Sequence, residues 1–360
     1  MKKSLVALAA LAVVGAASAQ STVTIYGRLD AGYSASTTTA TTAAGVSSDA
    51  KDRGINNNGL ATSYWGMKGS EDLGGGLRAN FNLETSVGID TGADGGRFDR
   101  ISTLGASGNF GSVMVGRFYT PMFLTTLASD VFGAGGAYTV NLFTDGVRAS
   151  DAFWYTTPNM GGFSATVMLG RSNTVTLASA AVAATPVSAA VAAVAAGDTT
   201  VNNTGLSATY AAGPLMVSAA YSKVEGTLAG VNGEITGSAL TGTYNFGPAK
   251  LFAGHIRGKT TLNTTSAAAT EQTETNLGVS VPMGAATFMA AYGRNTKDNI
   301  AAAGTVDGQT GSDFVIGVTY DLSKRTALYL KTGTYNKLDN TATLAGTKTN
   351  TTALGLRHLF

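Results

Sequence analysis

Through most of this chain apolar and polar residues alternate with period two, and that alternation limits the folds open to it. From Leu77 to Val87 the odd positions are Leu77, Ala79, Phe81, Leu83, Thr85 and Val87, and the even ones Arg78, Asn80, Asn82, Glu84 and Ser86. Successive strand residues point to opposite faces, so such a segment separates an apolar environment from a watery one. Val23 to Tyr33 repeats the pattern, with Val23, Ile25, Leu29, Ala31 and Tyr33 on one face and Thr24, Tyr26, Arg28 and Asp30 on the other. Phe314, Ile316, Val318 and Tyr320 form another apolar face, as do Leu354, Leu356 and Phe360.

Sixteen segments read as strands, at about 22–33, 61–69, 77–88, 98–107, 111–119, 149–157, 163–171, 204–211, 215–225, 235–246, 249–258, 274–282, 286–295, 312–321, 326–336 and 350–360. Short connections at 70–76, 108–110, 158–162, 212–214, 247–248, 283–285 and 322–325 alternate with long ones at 34–60, 89–97, 120–148, 172–203, 226–234, 259–273, 296–311 and 337–349. The result is an up-and-down meander with both termini at the short-turn end. Lipid offers no hydrogen bonds, so a sheet in a membrane has to close on itself. Strands of about ten residues, short turns at one end and long loops at the other are the pattern of an outer-membrane barrel. The expected fold class is all-β: a transmembrane sixteen-stranded antiparallel up-and-down β-barrel. Residues 178–197 are uncharged and rich in Ala and Val, but Pro186 interrupts them and Ser and Thr dilute them, so they read as a low-complexity loop.

Lys2 and Lys3, the apolar run 5–17 and Ala17-Ser18-Ala19 read as a signal peptide, 1–19, cleaved to leave 20–360 as one barrel domain. The formal net charge of +2 is carried by Lys2 and Lys3, so the remaining chain is formally neutral and gives no basis for nucleic-acid binding. Cys is absent and only His255 and His358 occur. That excludes a disulfide scaffold, a Cys-based metal site and a Cys nucleophile, and leaves little for His-dependent catalysis. No enzyme activity, cofactor or metal is expected.

Several segments resemble the general porins of Gram-negative bacteria, in particular their β-proteobacterial branch. They are Val23-Thr24-Ile25-Tyr26-Gly27-Arg28-Leu29-Asp30-Ala31-Gly32, the run from Trp65 to Leu77, the run from Asn109 to Arg117, Tyr155-Thr156-Thr157-Pro158-Asn159, and the terminus Gly355-Leu356-Arg357-His358-Leu359-Phe360. The resemblance implies a trimeric, water-filled channel in the outer membrane for small hydrophilic solutes and ions, in contact with outer-membrane lipid and lipopolysaccharide. A terminal Phe360 is similar to the signal read by the barrel-assembly machinery. The third long loop, 120–147, with Asp130-Val131-Phe132-Gly133-Ala134-Gly135-Gly136, resembles the family's inward-folded loop, and Asp130 and Asp145 are its acids. Arg28, Arg117 and Arg148 match the basic ladder on the opposite wall. Tyr64 stands where relatives often carry Arg, which weakens the expected anion preference.

By parity Arg78, Lys331 and Glu84 also line the lumen. Strict alternation from Val113 and Val115 would point Arg117 at lipid, where a charge at the midplane costs about 2–4 kcal/mol. A bulge before it, for which Gly116 is suited, would turn it inward; the alternative is a place at the strand end above the lipid, and the resemblance favours the inward one. Three other readings compete with a general channel. A barrel enzyme would use His255 or His358, a substrate-specific porin would use Tyr26, Tyr64 and Tyr329, and a non-channel adhesin would use the Thr-rich stretches 35–44 and 172–203. Tyr33, Trp65, Tyr320 and Phe360 are candidates for aromatic girdles.

Overall fold

The computed structural model describes residues 22–42, 44–57, 59–93, 95–133, 146–176, 197–228, 231–263, 268–301, 304–337 and 344–360. The signal segment 1–19, Asp145 and most of 178–197 lie outside these residues.

The strands are β1 Thr22–Thr42, β2 Ser47–Asn57, β3 Tyr64–Gly74, β4 Leu77–Ser86, β5 Ile101–Gly108, β6 Gly111–Tyr119, β7 Arg148–Thr156, β8 Phe163–Thr176 and β9 Gly197–Ala212. They continue as β10 Leu215–Leu228, β11 Val231–Asn245, β12 Lys250–Asn263, β13 Ala268–Met283, β14 Ala286–Ala301, β15 Gly304–Asp321, β16 Thr326–Lys337 and β17 Leu344–Leu359. One helix, α1 (Pro121–Leu127), follows β6. All pairings are antiparallel, and β17 returns to β1, with Arg28 opposite Leu359 and Tyr33 opposite Leu354. The seventeen segments occupy sixteen places around the wall, because β2 and β3 share one. The lower part of β1 pairs with β3 (Arg28 opposite Tyr64) and the upper part with β2 (Tyr33 opposite Ile55).

The expected long connections are shorter than their sequence suggests. The stretch 34–60 is mostly the β1–β2 hairpin, and the ladders of β10–β11, β12–β13 and β14–β15 run through most of 226–234, 259–273 and 296–311. These extensions are rich in Thr, Asn, Lys and Glu. Above the membrane both faces of a strand meet water, so the alternation disappears while the ladder continues.

The apolar faces point outward. Val23, Ile25, Leu104, Leu277 and Leu354 are each more than half exposed, a continuous apolar wall that a protein in water does not keep. Among the described residues no helix is long and apolar enough to cross a membrane; the strands form the apolar belt. The wall closes at Phe360, whose backbone exchanges two hydrogen bonds with Gly27, and a Cβ at Gly27 would collide with the Phe360 ring. Deleting Phe360 removes those bonds and that contact. The expected loss is about 2–3 kcal/mol in the refolded barrel, read as a lower unfolding midpoint in detergent micelles.

Candidate functional site: the lumen constriction

The loop after β6 turns into the barrel. Thr120 caps α1 by accepting from the Phe123 amide, and Pro121 sets the first helical position. Met122 then packs on Ala220, Ala239 and Ile256 of β10–β12. From there the loop runs along the inner wall over glycines. Pro121 covers Gly205, Ser129 covers Gly254, Val131 covers Gly278 and Phe132 covers Gly317, and a Cβ at any of the four would press into the loop. The Thr241 hydroxyl donates to the Thr125 carbonyl at 3.0 Å, and Asn276 donates to Ser129 at 3.3 Å. Gly278→Leu is expected to cost about 1–3 kcal/mol by overpacking and, by pushing the loop toward the lumen centre, to lower single-channel conductance measured in a planar bilayer.

A second segment enters the barrel from the other side. The Asp30 carboxylate, fully buried, accepts from the amides of Gly59, Leu60 and Ala61 at 3.1, 3.1 and 2.7 Å and from the Tyr329 hydroxyl at 2.7 Å. Ser63 adds a hydroxyl bond to the Asp30 carbonyl. Leu60 is thereby seated against Phe132 of the inward loop, with Val315, Tyr329 and Ala353 around them. Sequence alone does not foretell this inner apolar cluster. Residues 59 and 60 read as the end of a long loop and 61–63 as the start of a strand, whereas the strand begins at Tyr64 and the bonds to Asp30 set the direction of 59–63.

The opposite wall is basic and aromatic. The Arg28 guanidinium lies 5.1 Å from the Tyr64 ring centre and donates to the Thr62 carbonyl at 2.9 Å. Arg100 lies 4.8 Å from the same ring, pairs with Glu84 and donates to the Tyr119 hydroxyl at 2.7 Å. Arg148 stacks on Tyr119 at 4.6 Å and donates to its hydroxyl at 3.2 Å. Tyr119 in turn stacks on Phe123 of α1, ring centres 5.2 Å apart, which joins the basic wall to the loop. Tyr26 donates to Asn82 and Glu84. Tyr64 thus stands between two guanidinium groups, and a cation over an aromatic face is stabilised by about 0.5–2 kcal/mol.

Arg100 was missed by sequence reasoning. It shares parity with Leu104, which faces outward, so alternation alone would aim it at lipid. It lies before the start of β5, after Phe98 at φ 48°, where the backbone no longer follows the pleat. Arg357, opposite Asp30 and in electrostatic range of Arg28, was also passed over, although the outward Leu354 and Leu356 fix its parity.

A register shift falls beside Gly116, which stands at φ 123°, but the extra residue is on β7: Gly116 pairs with Ala152 and Phe118 with Ala149, Asp151 takes φ 51°, and β5 and β6 keep their register through Gly116 and Arg117. The shift does not bring Arg117 into the cluster. Arg117 pairs in register with Ser102, in the row of outward Leu104, and donates to the Asp99 carbonyl at 2.6 Å and the Ser150 hydroxyl at 2.7 Å. It ties the extracellular ends of β5 and β7 together. Burial of the Asp99 carboxylate is outweighed by donors from Ser86 and Thr85, which hold its carboxyl below the ordinary range.

The acids are hidden. Asp130 is 5% exposed, accepts from the Phe132 amide and lies in electrostatic range of Lys331. Glu274 and Asp313, at 1% and 7%, sit on β13 and β15 within range of each other. Glu84 is 4% exposed and engaged by Arg100. Arg28 and Arg148 stay half-buried. Arg78 lies by the short-turn end, its side chain more than half exposed beside Asp72 at 4.0 Å. His255 is exposed on the outer face beside Thr275, and His358 bonds Thr326 near the terminus.

A sequence model described as Gram-negative porin matches residues 5–343. Outer membrane porin protein 32 of Delftia acidovorans is 33% identical over 91% of this chain and 88% of its own length. An outer membrane porin protein of Bordetella pertussis is 31% identical over the whole of both chains. An anion-selective porin from Comamonas acidovorans has a similar structure, with a TM-score of 0.74 and 26% identity over 95% of this chain and all of that one. OmpT of Vibrio cholerae in its trimer form shares the fold, with a TM-score of 0.65 and 16% identity over 94% of this chain and 99% of that one.

Proposed function

The chain belongs to the Gram-negative porin family and is an outer-membrane channel protein, and on that premise we propose that it is a general diffusion channel with a weak preference for anions. The observation that carries the reading is the asymmetry of exposed charge in the lumen. Arg28 and Arg148 remain accessible, whereas Asp130, Glu274 and Asp313 are buried and Glu84 is neutralised by Arg100. A passing anion therefore meets a positive wall at the constriction, and a passing cation finds Asp130, Glu274, Asp313 and Glu84 all buried there. The preference is weak because water and salt fill the pore. At 0.1 M salt the screening length is about 10 Å, and at 1 M about 3 Å.

Width sets the size limit, and the inward loop together with the 59–63 segment sets the width. Tyr26, Tyr64 and Tyr329 are each engaged by carboxylate, amide or guanidinium partners, which supports general passage over an aromatic binding track. The trimeric neighbour and the family resemblance support a homotrimer. Phe360 at the closing seam supports its role as an assembly signal. No step in this mechanism transfers a proton or forms a bond.

The test is conductance of the detergent-purified protein in a planar bilayer under a salt gradient. Uniform ohmic steps closing in thirds are expected, with a zero-current potential of anion sign that shrinks as salt rises from 0.1 to 1 M. Absence of steps from folded barrel would remove the channel reading. Block by micromolar amounts of one solute would replace it with a substrate-specific porin.

A further inference from the structure

Arg100 and Glu84 are almost wholly buried, their side chains 6% and 5% exposed, and they carry opposite charges in direct contact. As a pair they add nothing to the net charge that a passing ion meets. Arg100 nevertheless touches both rings on which the accessible arginines rest. Its guanidinium lies 4.8 Å from the centre of the Tyr64 ring and donates to the Tyr119 hydroxyl at 2.7 Å. Arg28 lies over Tyr64 at 5.1 Å, and Arg148 lies over Tyr119 at 4.6 Å and donates to its hydroxyl at 3.2 Å. One buried guanidinium thus stands behind two half-buried ones.

The arrangement answers a problem of like charge. Arg28 and Arg100 are in electrostatic range of each other. The Tyr64 ring attracts both cations, whereas a third arginine in its place would repel both. Glu84 fixes Arg100 from the other side. One carboxylate oxygen takes the Arg100 side chain, and the other accepts from the Tyr26 hydroxyl at 3.1 Å. The Tyr26 ring meets Tyr64 edge to face, with centres 6.1 Å apart. The Arg100 amide also donates to the Glu84 carbonyl at 3.2 Å. Without these supports Arg28 and Arg148 would be long side chains free to change rotamer in water, and holding such a chain still costs conformational entropy. A planar guanidinium can serve a carboxylate, a hydroxyl and a ring together, which a compact ammonium cannot.

From this geometry we infer that Arg100 is the positioning residue of the selectivity wall. Held by Glu84, it keeps Tyr64 and Tyr119 in place, and these rings hold the Arg28 and Arg148 charges beside the conducting path. The inference rests on the anion preference proposed above and makes that preference depend on a residue whose own charge is cancelled. Removing Arg100 and Glu84 together leaves the net charge unchanged, and removing the Tyr119 hydroxyl removes no charge at all. If charge alone set the preference, both changes would leave it unaltered. With the support gone, Arg28 and Arg148 spread over more positions, and their pull on an ion weakens with distance and screening.

The test is the zero-current potential of the detergent-purified protein in a planar bilayer, under a salt gradient at about 0.1 M. Wild-type protein is compared with the charge-neutral pair Glu84→Gln and Arg100→Gln, with Tyr119→Phe, and with Arg100→Lys, which keeps the charge but not the fork. Each variant is expected to lower the anion-to-cation permeability ratio by about twofold or more. Retention of the heat-modifiable gel shift controls for folding. Tyr119→Phe keeps the ring that stacks on Phe123, so it carries the test if the paired variant fails to fold. A wild-type or raised ratio in both the paired variant and Tyr119→Phe would overturn the role of Arg100 and leave the anion preference standing. A wild-type protein without anion preference would overturn both readings.

Discussion

Reversing the two accessible arginines, Arg28→Glu with Arg148→Glu, should turn the channel from anion-preferring to cation-preferring. Two unit charges about 4 Å apart in water interact by about 1 kcal/mol. A permeating ion passes both positions, and each reversal changes the wall by two charges. The permeability ratio should therefore move about tenfold, enough to change the sign of the zero-current potential at 0.1 M salt. At 1 M salt the shift should largely vanish. Arg78→Glu is the control, because Arg78 is exposed at the short-turn end beside Asp72, away from the Tyr64 and Tyr119 cluster. An unchanged potential in the double variant would mean that the basic wall does not border the conducting path.

The second large effect is expected at Asp30. Asp30→Ala leaves three amides and the Tyr329 hydroxyl without their acceptor in a fully buried place. Orphaned buried donors cost about 1–3 kcal/mol each when nothing relaxes, and partial relaxation brings the total to about 3–5 kcal/mol. The midpoint of guanidinium unfolding should fall accordingly. The relaxation itself has a functional reading. Residues 59–61 swing away from the wall, Leu60 leaves Phe132, and the inward loop loses one of its supports. Mean single-channel conductance should rise and become noisier. Asp30→Asn, which keeps one carbonyl acceptor, should show a smaller change in both. Unaltered conductance would show that the 59–63 segment does not bound the pore.

Much of the wall could be read from the chain because lipid imposes a simple rule: one face apolar, the other not. Where that rule applies, parity also fixes direction, and Tyr26, Arg28, Glu84 and Lys331 have the parity opposite to outward Ile25, Leu77 and Leu330. The rule ends where the lipid ends. Above the membrane, strands such as β13 and β15 continue with polar residues on both faces, and hydropathy alone reads these portions as loops. At the start of β5 the pleat is lost, which is why Arg100 joins the lumen cluster against its parity, while Arg117 stays in the row that alternation assigns and not where the resemblance implies. Glycines facing the lumen carry no hydropathy signal at all. Gly205, Gly254, Gly278 and Gly317 become legible as a bed for the inward loop only once four distant strands are side by side.

The Asp30–Tyr329 bond joins residues 299 positions apart, across the seam where the first strand meets the last. Contacts of such sequence separation form late, because the chain between them has to be organised first. The carboxylate that anchors residues 59–61 inside the barrel therefore receives its hydroxyl partner only as the ring shuts. Folding of the interior and sealing of the wall are completed together, so an unsealed intermediate should expose the backbone amides of Gly59 to Ala61 to hydrogen exchange until the last strand docks.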